Sequence, residues 1–213
     1  MNCKSNKRGF FLEIELNVEE HIIAYFDLFG TIIFAITGAL RGIKKELDFL
    51  GVVVLACTVG VGGGIMRDVI IGATPVAALS NDRYLICCIL TGTVTFFAFR
   101  LISRANELII ILDAIGLGVF TSLGAAKALS YNLPNVGVVL AGVITAVGGG
   151  VIRDMMVAQI PAVLKSDFYA TASLLGGILF IALRYWPLPY FTDFVVVSLF
   201  VTLLRLWAVH YKV

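Results

Sequence analysis

The sequence has little charge for a chain of its length. Asp, Glu, Lys and Arg account for 14% of its 213 residues, whereas ordinary soluble domains have about 25%. Hydrophobic residues account for 60%, and the mean hydropathy is +0.99. A surface that faces water needs more charge than this, so the composition excludes most water-soluble enzymes and predicts an integral membrane protein. The net charge of +2 is too small to indicate nucleic-acid binding.

Residues that carry metal or covalent chemistry are also scarce. The four cysteines show no CxxC spacing and there are only two histidines, so neither a disulfide framework nor a metal cluster is indicated. No Ser-His-Asp set stands out, and we therefore expect neither an enzyme nor a cofactor. Acidic residues precede the first apolar run, from Glu13 to Glu20, and they argue against a cleaved signal peptide.

Seven apolar runs approach the length of about 20 residues that crosses a bilayer. They lack the alternation of barrel strands, so the sequence predicts an all-α membrane protein with seven transmembrane helices. The third and sixth runs are short, at 16 residues each. The predicted spans are Ile22–Leu40, Phe49–Gly72, Tyr84–Phe99, Leu108–Ala126, Val136–Met156, Phe168–Leu183 and Tyr190–Val209.

The chain contains an internal duplication with an offset of 86 residues. Between residues 27–75 and 113–161, 16 of the 49 aligned pairs are identical, where chance gives about three. Each copy holds three spans, and an odd number of crossings inverts the second copy relative to the first. The excess of Lys and Arg in the loops of one face predicts an external amino terminus and a cytoplasmic carboxyl terminus. The predicted organisation is an amino-terminal tail at 1–21, a first repeat at 22–101, an inverted second repeat at 108–184 and a seventh helix at 190–210.

Each repeat carries three consecutive glycines in the middle of its second span. A glycine inside a helix costs about 1 kcal/mol relative to alanine, so we predict a kink or a break in both helices. Backbone carbonyls freed near Gly62 and Gly148 would then suit a monovalent cation. The alternative is that the glycines only permit close packing between helices. The two triplets are Gly62, Gly63 and Gly64 in the first repeat and Gly148, Gly149 and Gly150 in the second.

An Arg-Asp pair follows each glycine triplet at the same distance, as Arg67-Asp68 and Arg153-Asp154. A charge inside a membrane costs at least about 2.5 to 3.5 kcal/mol and is normally paired. Neighbouring residues on a helix point about 100° apart, so we hypothesise pairs that cross between the repeats, Arg67 with Asp154 and Arg153 with Asp68. The alternative is that each Arg reaches the membrane interface while each Asp caps its own half-helix.

Other polar residues are candidates for the mouths or the lining of a pathway. Asp27 and Asp113 are equivalent in the two repeats and lie near opposite membrane faces, where they could attract cations. The alternative for both is a carboxylate that stabilises the start of a helix. Three hydroxyls and one ammonium complete the candidate set: Thr37, Thr58, Thr145 and Lys127.

The inverted three-helix repeats, the seventh helix and the doubled GGGxxRD motif resemble the prokaryotic branch of the trimeric intracellular cation channel (TRIC) family. The motif spans Gly62 to Asp68 and Gly148 to Asp154, and the likeness covers roughly Phe26 to Val209. The resemblance implies a homotrimer in the lipid of a bacterial inner membrane, with one pore per subunit beside kinked second and fifth helices. It also implies potassium as the main permeant ion, with sodium passing as well.

Two functions fit these features. The first is a passive monovalent-cation channel with a hydrated passage between the second and fifth helices. The alternative is a secondary transporter of a small zwitterion such as glycine, because inverted repeats with interrupted midplane helices also describe carriers. Prokaryotic relatives of the resembled family have also been labelled glycine transporters.

Overall fold

The computed structural model describes residues 3–98, 105–165, 168–186 and 190–211, and the regular structure in those ranges is helical throughout. A short 3₁₀ turn at Ala162–Leu164 lies between the sixth and seventh α-helices. The α-helices in chain order are α1 (Cys3–Lys44), α2 (Phe49–Ile71), α3 (Ala77–Ser80), α4 (Asp82–Ala98), α5 (Ala105–Ser130), α6 (Asn135–Met156), α7 (Ala170–Leu183) and α8 (Tyr190–Tyr211).

The residues that flank α2 account for its boundaries. The carboxylate of Asp48 accepts a hydrogen bond from the Gly51 amide at 2.7 Å, which satisfies one of the free amides in the first turn. The helix is followed by Gly72, whose left-handed backbone with φ of 74° lets its amide bond to carbonyls of the last turn. α6 begins directly after Pro134, and proline suits a helix start because its φ is fixed and it has no amide to satisfy.

Five helical segments are long and apolar enough to cross a membrane, and they match the first, second, fourth, fifth and seventh predicted spans. α4 and α7 correspond to the third and sixth spans, but with 17 and 14 residues they rise only about 26 and 21 Å. A hydrocarbon core is about 30 Å thick. The prediction of an all-α membrane protein is therefore confirmed, whereas seven full crossings stay a prediction. α1 runs unbroken across the predicted boundary between the tail and the first repeat.

The packing of the helices repeats itself. α1 and α2 pack against each other and both contact α4, just as α5 and α6 pack against each other and both contact α7. α1 also packs on α5, and α2 on α6, so these four helices form the centre of the bundle. α8 lies outside this pattern and packs on α5 and α7.

Equivalent helices of the two repeats run in opposite directions. Asp27, near the start of the apolar part of α1, lines the same cavity as Lys127 and Ser130 at the end of α5. At the other end of the bundle, Asp113 near the start of α5 shares the Arg153 guanidinium with Thr37 near the end of α1. The antiparallel arrangement agrees with the inversion expected from three spans per repeat.

Candidate ion pathway

A first cluster of charged and polar side chains lies at one end of the central bundle, and its centre is Asp68. One oxygen of the Asp68 carboxylate accepts hydrogen bonds from Arg67 Nε at 2.8 Å and from Lys127 Nζ at 2.7 Å. Close by, the Asp27 carboxylate accepts a hydrogen bond from the Tyr84 hydroxyl at 2.8 Å. The first cluster consists of Asp27, Arg67, Asp68, Tyr84 and Lys127, from α1, α2, α4 and α5.

A second cluster lies at the opposite end, and its centre is the Arg153 guanidinium, which is 2% exposed. Its Nη1 donates to Asp113 at 2.6 Å and lies 3.4 Å from the Thr37 hydroxyl, and its Nε donates to Asp154 at 3.0 Å. Arg41 contributes a longer ion pair of 3.8 Å to Asp154. The second cluster consists of Thr37, Arg41, Asp113, Arg153 and Asp154.

The predicted cross pairs of Arg67 with Asp154 and Arg153 with Asp68 are wrong. Each of these Arg side chains instead folds back so that its Nε reaches the Asp that follows it. The 100° between neighbours does not prevent this contact, because a guanidinium on a long stem carries five donors in several directions. Both Arg residues are 2% exposed, so the alternative of Arg side chains that reach the membrane interface is also wrong.

Two other basic residues tie the repeats together. Lys127 of the second repeat binds Asp68 of the first, and Arg41 of the first repeat binds Asp154 of the second. The two ion pairs occupy equivalent positions, because the offset of 86 residues aligns Arg41 with Lys127 and Asp68 with Asp154. A clamp between the repeats therefore exists, but its cations come from the ends of α1 and α5 rather than from the GGGxxRD motif.

Each motif Asp also holds the segment that follows its helix. The second carboxylate oxygen of Asp68 accepts a hydrogen bond from the Ala77 amide at 3.0 Å. The second carboxylate oxygen of Asp154 accepts one from the Ala162 amide at 2.9 Å. These bonds anchor the chain where it turns away from the ends of α2 and α6. Sequence reasoning missed this role, although the equivalent Pro75 and Pro161 mark the turns by their restricted backbone.

Removal of the Lys127 ammonium is expected to destabilise the protein. In Lys127→Met the buried Asp68 carboxylate loses one of its two cationic partners, and such a charged hydrogen bond contributes about 1–2 kcal/mol where the cation is partly exposed. Melting of the purified protein in detergent measures the change. Lys127→Arg should retain most of the stability, and the exposed Lys45→Met serves as the control. Equal melting temperatures for Lys127→Met and Lys45→Met would contradict the prediction.

The remaining candidate residues differ in their surroundings. Neither Asp27 nor Asp113 begins a helix, so the helix-start alternative is wrong for both. Thr145 is buried where α6 crosses α2, and its hydroxyl donates to the Ala141 carbonyl of its own helix. Thr58 likewise donates to the Val54 carbonyl within α2. Thr37 belongs to the second cluster, and the role of these three hydroxyls as lining residues stays a prediction.

The helices continue without interruption through both glycine triplets. The predicted break is therefore wrong, and the carbonyls near Gly62 and Gly148 stay within continuous helix. A bend of α2 or α6 that keeps the backbone hydrogen bonds of the helix stays a prediction. The glycines allow close approach instead: a Cβ on Gly63 would collide with the backbone carbonyl of Thr145, and one on Gly149 would lie 2.8 Å from that of Val59. The alternative of close helix packing is the one that the contacts support.

Two equivalent phenylalanines occupy the middle of the bundle between the clusters. Phe34 and Phe120 are fully or almost fully buried, and their ring centroids lie 5.0 Å apart. Each ring lies against a glycine of the other repeat, because a Cβ on Gly30 would meet the Phe120 ring and one on Gly116 would meet the Phe34 ring. Sequence reasoning matched these two aromatics as part of the duplication but did not assign them to the pathway.

Each cluster borders an open cavity. The first vestibule has a volume of about 280 Å³ and is lined by Asp27, Arg67, Lys127 and Ser130, with Leu123 and Ala126 among its apolar walls. The second vestibule has a volume of about 500 Å³ and is lined by Arg41, Asp154, Gln159 and Lys165. A much smaller space of about 10 Å³ lies between the first cluster and Phe120, enough for about one water molecule. The two vestibules are thus separated by two features. One is the aromatic pair of Phe34 and Phe120, and the other is the close contact between α2 and α6 at Gly63 and Gly149, which we call the glycine crossing.

Comparisons with known proteins agree with this architecture. A family model described as Glycine transporter matches residues 24–100 and 110–185. The chain is 39% identical over 168 residues to a UPF0126 membrane protein of Vibrio cholerae, covering 78% of this chain and 70% of that protein. It is 34% identical over 192 residues to the UPF0126 inner membrane protein YadS of Escherichia coli K12, covering 89% and 93%. The solved structure of the TRIC trimeric intracellular cation channel orthologue from Rhodobacter sphaeroides superimposes with a TM-score of 0.87 at 33% identity, covering 90% of this chain and 99% of that one.

A helical membrane bundle with a charged vestibule at each end, and with channels and membrane proteins as its relatives, defines a channel or transporter rather than an enzyme. The chain belongs to the family whose model is described as Glycine transporter, and its fold is that of the bacterial TRIC channels. The resemblance drawn from the sequence is confirmed at the level of the fold.

Proposed function

We propose that this protein is a potassium-permeable channel for monovalent cations, with one pore in each subunit of a homotrimer. The observation that carries the proposal is the close likeness, over 90% of the chain, to a structure described as a trimeric intracellular cation channel orthologue. Sodium is expected to pass as well. The proposal also includes residence in a bacterial inner membrane with the amino terminus outside and the carboxyl terminus in the cytoplasm.

The proposed pathway joins the two vestibules between α2 and α6. Its ends are lined by the first and second clusters, in which each cationic side chain has a carboxylate within ion-pair distance. Paired charges of this kind hold water at the mouths without a large net field. The narrowest part lies at Phe34, Phe120 and the glycine crossing, where the rings and the backbones are in contact. Conduction then requires the two repeats to separate at this point.

The organisation into a tail at 1–21, repeats at 22–101 and 108–184, and a helix at 190–210 belongs to the same proposal. The two matched ranges of the family model, 24–100 and 110–185, support repeats of this size. Residues 99–104, which include the end of the third predicted span, lie outside the described residues.

A carrier for a small zwitterion is the second candidate, and two observations favour it. The family model is described as Glycine transporter, and the first vestibule brings a carboxylate and two cationic side chains together in one cavity. A carrier would need the vestibules to open alternately around a central site, with the aromatic pair as the barrier between them.

Current through purified protein in a planar bilayer separates the two functions. A channel is expected to produce unitary current steps whose reversal potential follows the potassium gradient. A carrier is expected to produce saturable uptake of radiolabelled glycine into liposomes without such steps. Empty liposomes and bilayers provide the control, and glycine uptake without unitary steps would overturn the channel proposal.

A further inference from the structure

The equivalent aspartates Asp27 and Asp113 are held by different kinds of partner. In the second cluster, Nη1 of Arg153 donates to Asp113 at 2.6 Å, so a guanidinium from α6 binds a carboxylate on α5. In the first cluster, the Tyr84 hydroxyl donates to Asp27 at 2.8 Å, and no Lys or Arg in the described ranges forms an ion pair with Asp27. The same carboxylate position can therefore be satisfied either by the Arg of a GGGxxRD motif or by a tyrosine.

A second tyrosine lies beside Asp113, and its hydroxyl is unused. Tyr169 directly precedes α7, and Tyr84 lies in the first turn of α4, so each repeat has a tyrosine at the start of its third helix. Tyr169 is 1% exposed. Its hydroxyl lies within electrostatic reach of Asp113 but does not meet the geometry of a hydrogen bond to any described residue. A buried hydroxyl without a partner is rare, because it has lost the hydrogen bonds that water would give.

Contacts on two sides hold Tyr169 next to the pair of Arg153 and Asp113. The Tyr169 hydroxyl lies 2.6 Å, and Nη2 of Arg153 lies 3.8 Å, from the point that a Cβ on Gly150 would occupy. The guanidinium of Arg205, on α8, lies over the Tyr169 ring with its Cζ 4.8 Å from the ring centroid, which is a cation–π distance. The hydroxyl and the Arg153 guanidinium therefore converge on the same small volume.

From this arrangement we propose that Asp113 exchanges partners when the second mouth opens, so that it releases Arg153 and accepts a hydrogen bond from the Tyr169 hydroxyl. A buried carboxylate that lost its cation without a substitute would be strongly destabilised, and a hydroxyl bond to a carboxylate is among the stronger hydrogen bonds. Arg153 also keeps a partner, because its Nε donates to Asp154 at 3.0 Å. The second cluster then has the arrangement of the first, in which Asp27 is bound by tyrosine.

The exchange bears on conduction because the bond from Arg153 to Asp113 ties α6 to α5 at the second mouth. The first repeat has no equivalent tie in the described chain, since the Arg67 guanidinium reaches only Asp68 of its own helix. The proposal rests on the proposed channel function. Tyr169 acts through Asp113 and is thus a positioning residue that stabilises the open form.

Tyr169→Phe removes the hydroxyl and keeps the ring. Because the hydroxyl makes no hydrogen bond in the described chain, the melting temperature in detergent is expected to stay unchanged. The open probability in planar bilayers is expected to fall at least tenfold, because the open form loses a hydrogen bond to a charged group. An unchanged open probability would overturn the proposal.

Two matched variants provide the comparison. Tyr84→Phe removes a hydroxyl that is already bonded to Asp27, so its melting temperature is expected to fall by several degrees. Tyr185→Phe removes an exposed hydroxyl and should change neither quantity. If the melting temperature of Tyr169→Phe falls as far as that of Tyr84→Phe, the hydroxyl supports the closed structure, and the exchange is rejected whatever the current does.

A double-mutant cycle tests the exchange without any current. Arg153→Lys keeps the charge but replaces the guanidinium fork by a single ammonium, which cannot hold Asp113 and Asp154 as the fork does. In that background Asp113 depends on Tyr169, so Tyr169→Phe is expected to lower the melting temperature by several degrees, although it has no effect in the parent. Equal effects in the two backgrounds would overturn the exchange. A parent protein without unitary currents would reject the channel function and leave the result of the cycle standing.

Discussion

Phe120→Ala is expected to open a leak between the two vestibules. The Phe120 ring lies 5.0 Å from the Phe34 ring, centroid to centroid, and this contact separates the small space beside the first cluster from the rest of the proposed pathway. Loss of the ring removes the apolar barrier at the narrowest point. We expect the potassium current in planar bilayers, without any stimulus, to rise at least tenfold, and the free energy of unfolding to fall by about 3–5 kcal/mol.

The two readouts distinguish a barrier from ordinary core packing. If Phe120 contributes only to packing, the stability falls while the current stays unchanged, and the proposed position of the constriction is rejected. Phe97→Ala is the control, because Phe97 is 70% exposed on α4 and its ring contacts those of Phe49 and Phe96 rather than the proposed pathway. It should leave the current unchanged and lower the free energy of unfolding by no more than about 2 kcal/mol. Phe34→Ala should behave like Phe120→Ala, since the offset of 86 residues relates the two positions.

Gly63→Ala is expected to have a second large effect, this time on folding. The added methyl group would collide with the backbone carbonyl of Thr145, and a helix backbone cannot move aside as a side chain can. Overpacking typically costs about 1–3 kcal/mol and occasionally more, and we expect the upper end of this range because the neighbouring atom belongs to the backbone. The expected result is a large fall in melting temperature in detergent, together with loss of the monodisperse peak in size-exclusion chromatography.

Gly64→Ala is the matched control from the same triplet. A methyl group there has only the end of the Arg67 side chain nearby, at 3.7 Å, which is an ordinary contact. Alanine is the better helix former by about 1 kcal/mol, so the variant should be at least as stable as the parent. If both variants lose the same stability, the glycines are required for the backbone conformation of α2 itself, and the proposed close contact of Gly63 with α6 is rejected as the cause.

The glycine triplets illustrate why part of the site could not be predicted from the sequence. Three consecutive glycines lower helix propensity, and propensity alone favours a break. In the structure, close contact between α2 and α6 compensates for that weakness, because Gly63 and Gly149 each lie against a carbonyl of the facing helix. Packing between helices is a property of two segments far apart in the chain, so no local rule reveals it.

The charged residues illustrate the same limit. That Arg67, Asp68, Arg153 and Asp154 are buried and paired follows from the cost of charge in a membrane. Which partner each one takes does not follow, because a long guanidinium or ammonium stem can reach a neighbour in sequence as easily as a facing helix. Lys127, predicted as a lining residue, lines the first vestibule and is also the partner of Asp68.

By itself, the sequence determined the membrane class, the helical content and the duplication, because these depend on hydrophobicity and identity summed over many residues. The tertiary structure decided how the glycines are used, which cations clamp the repeats and that only Asp113, not Asp27, is bound by the Arg of its own repeat. The physical reason is that these outcomes depend on distances of a few ångströms between helices, which the order of residues along one helix does not specify.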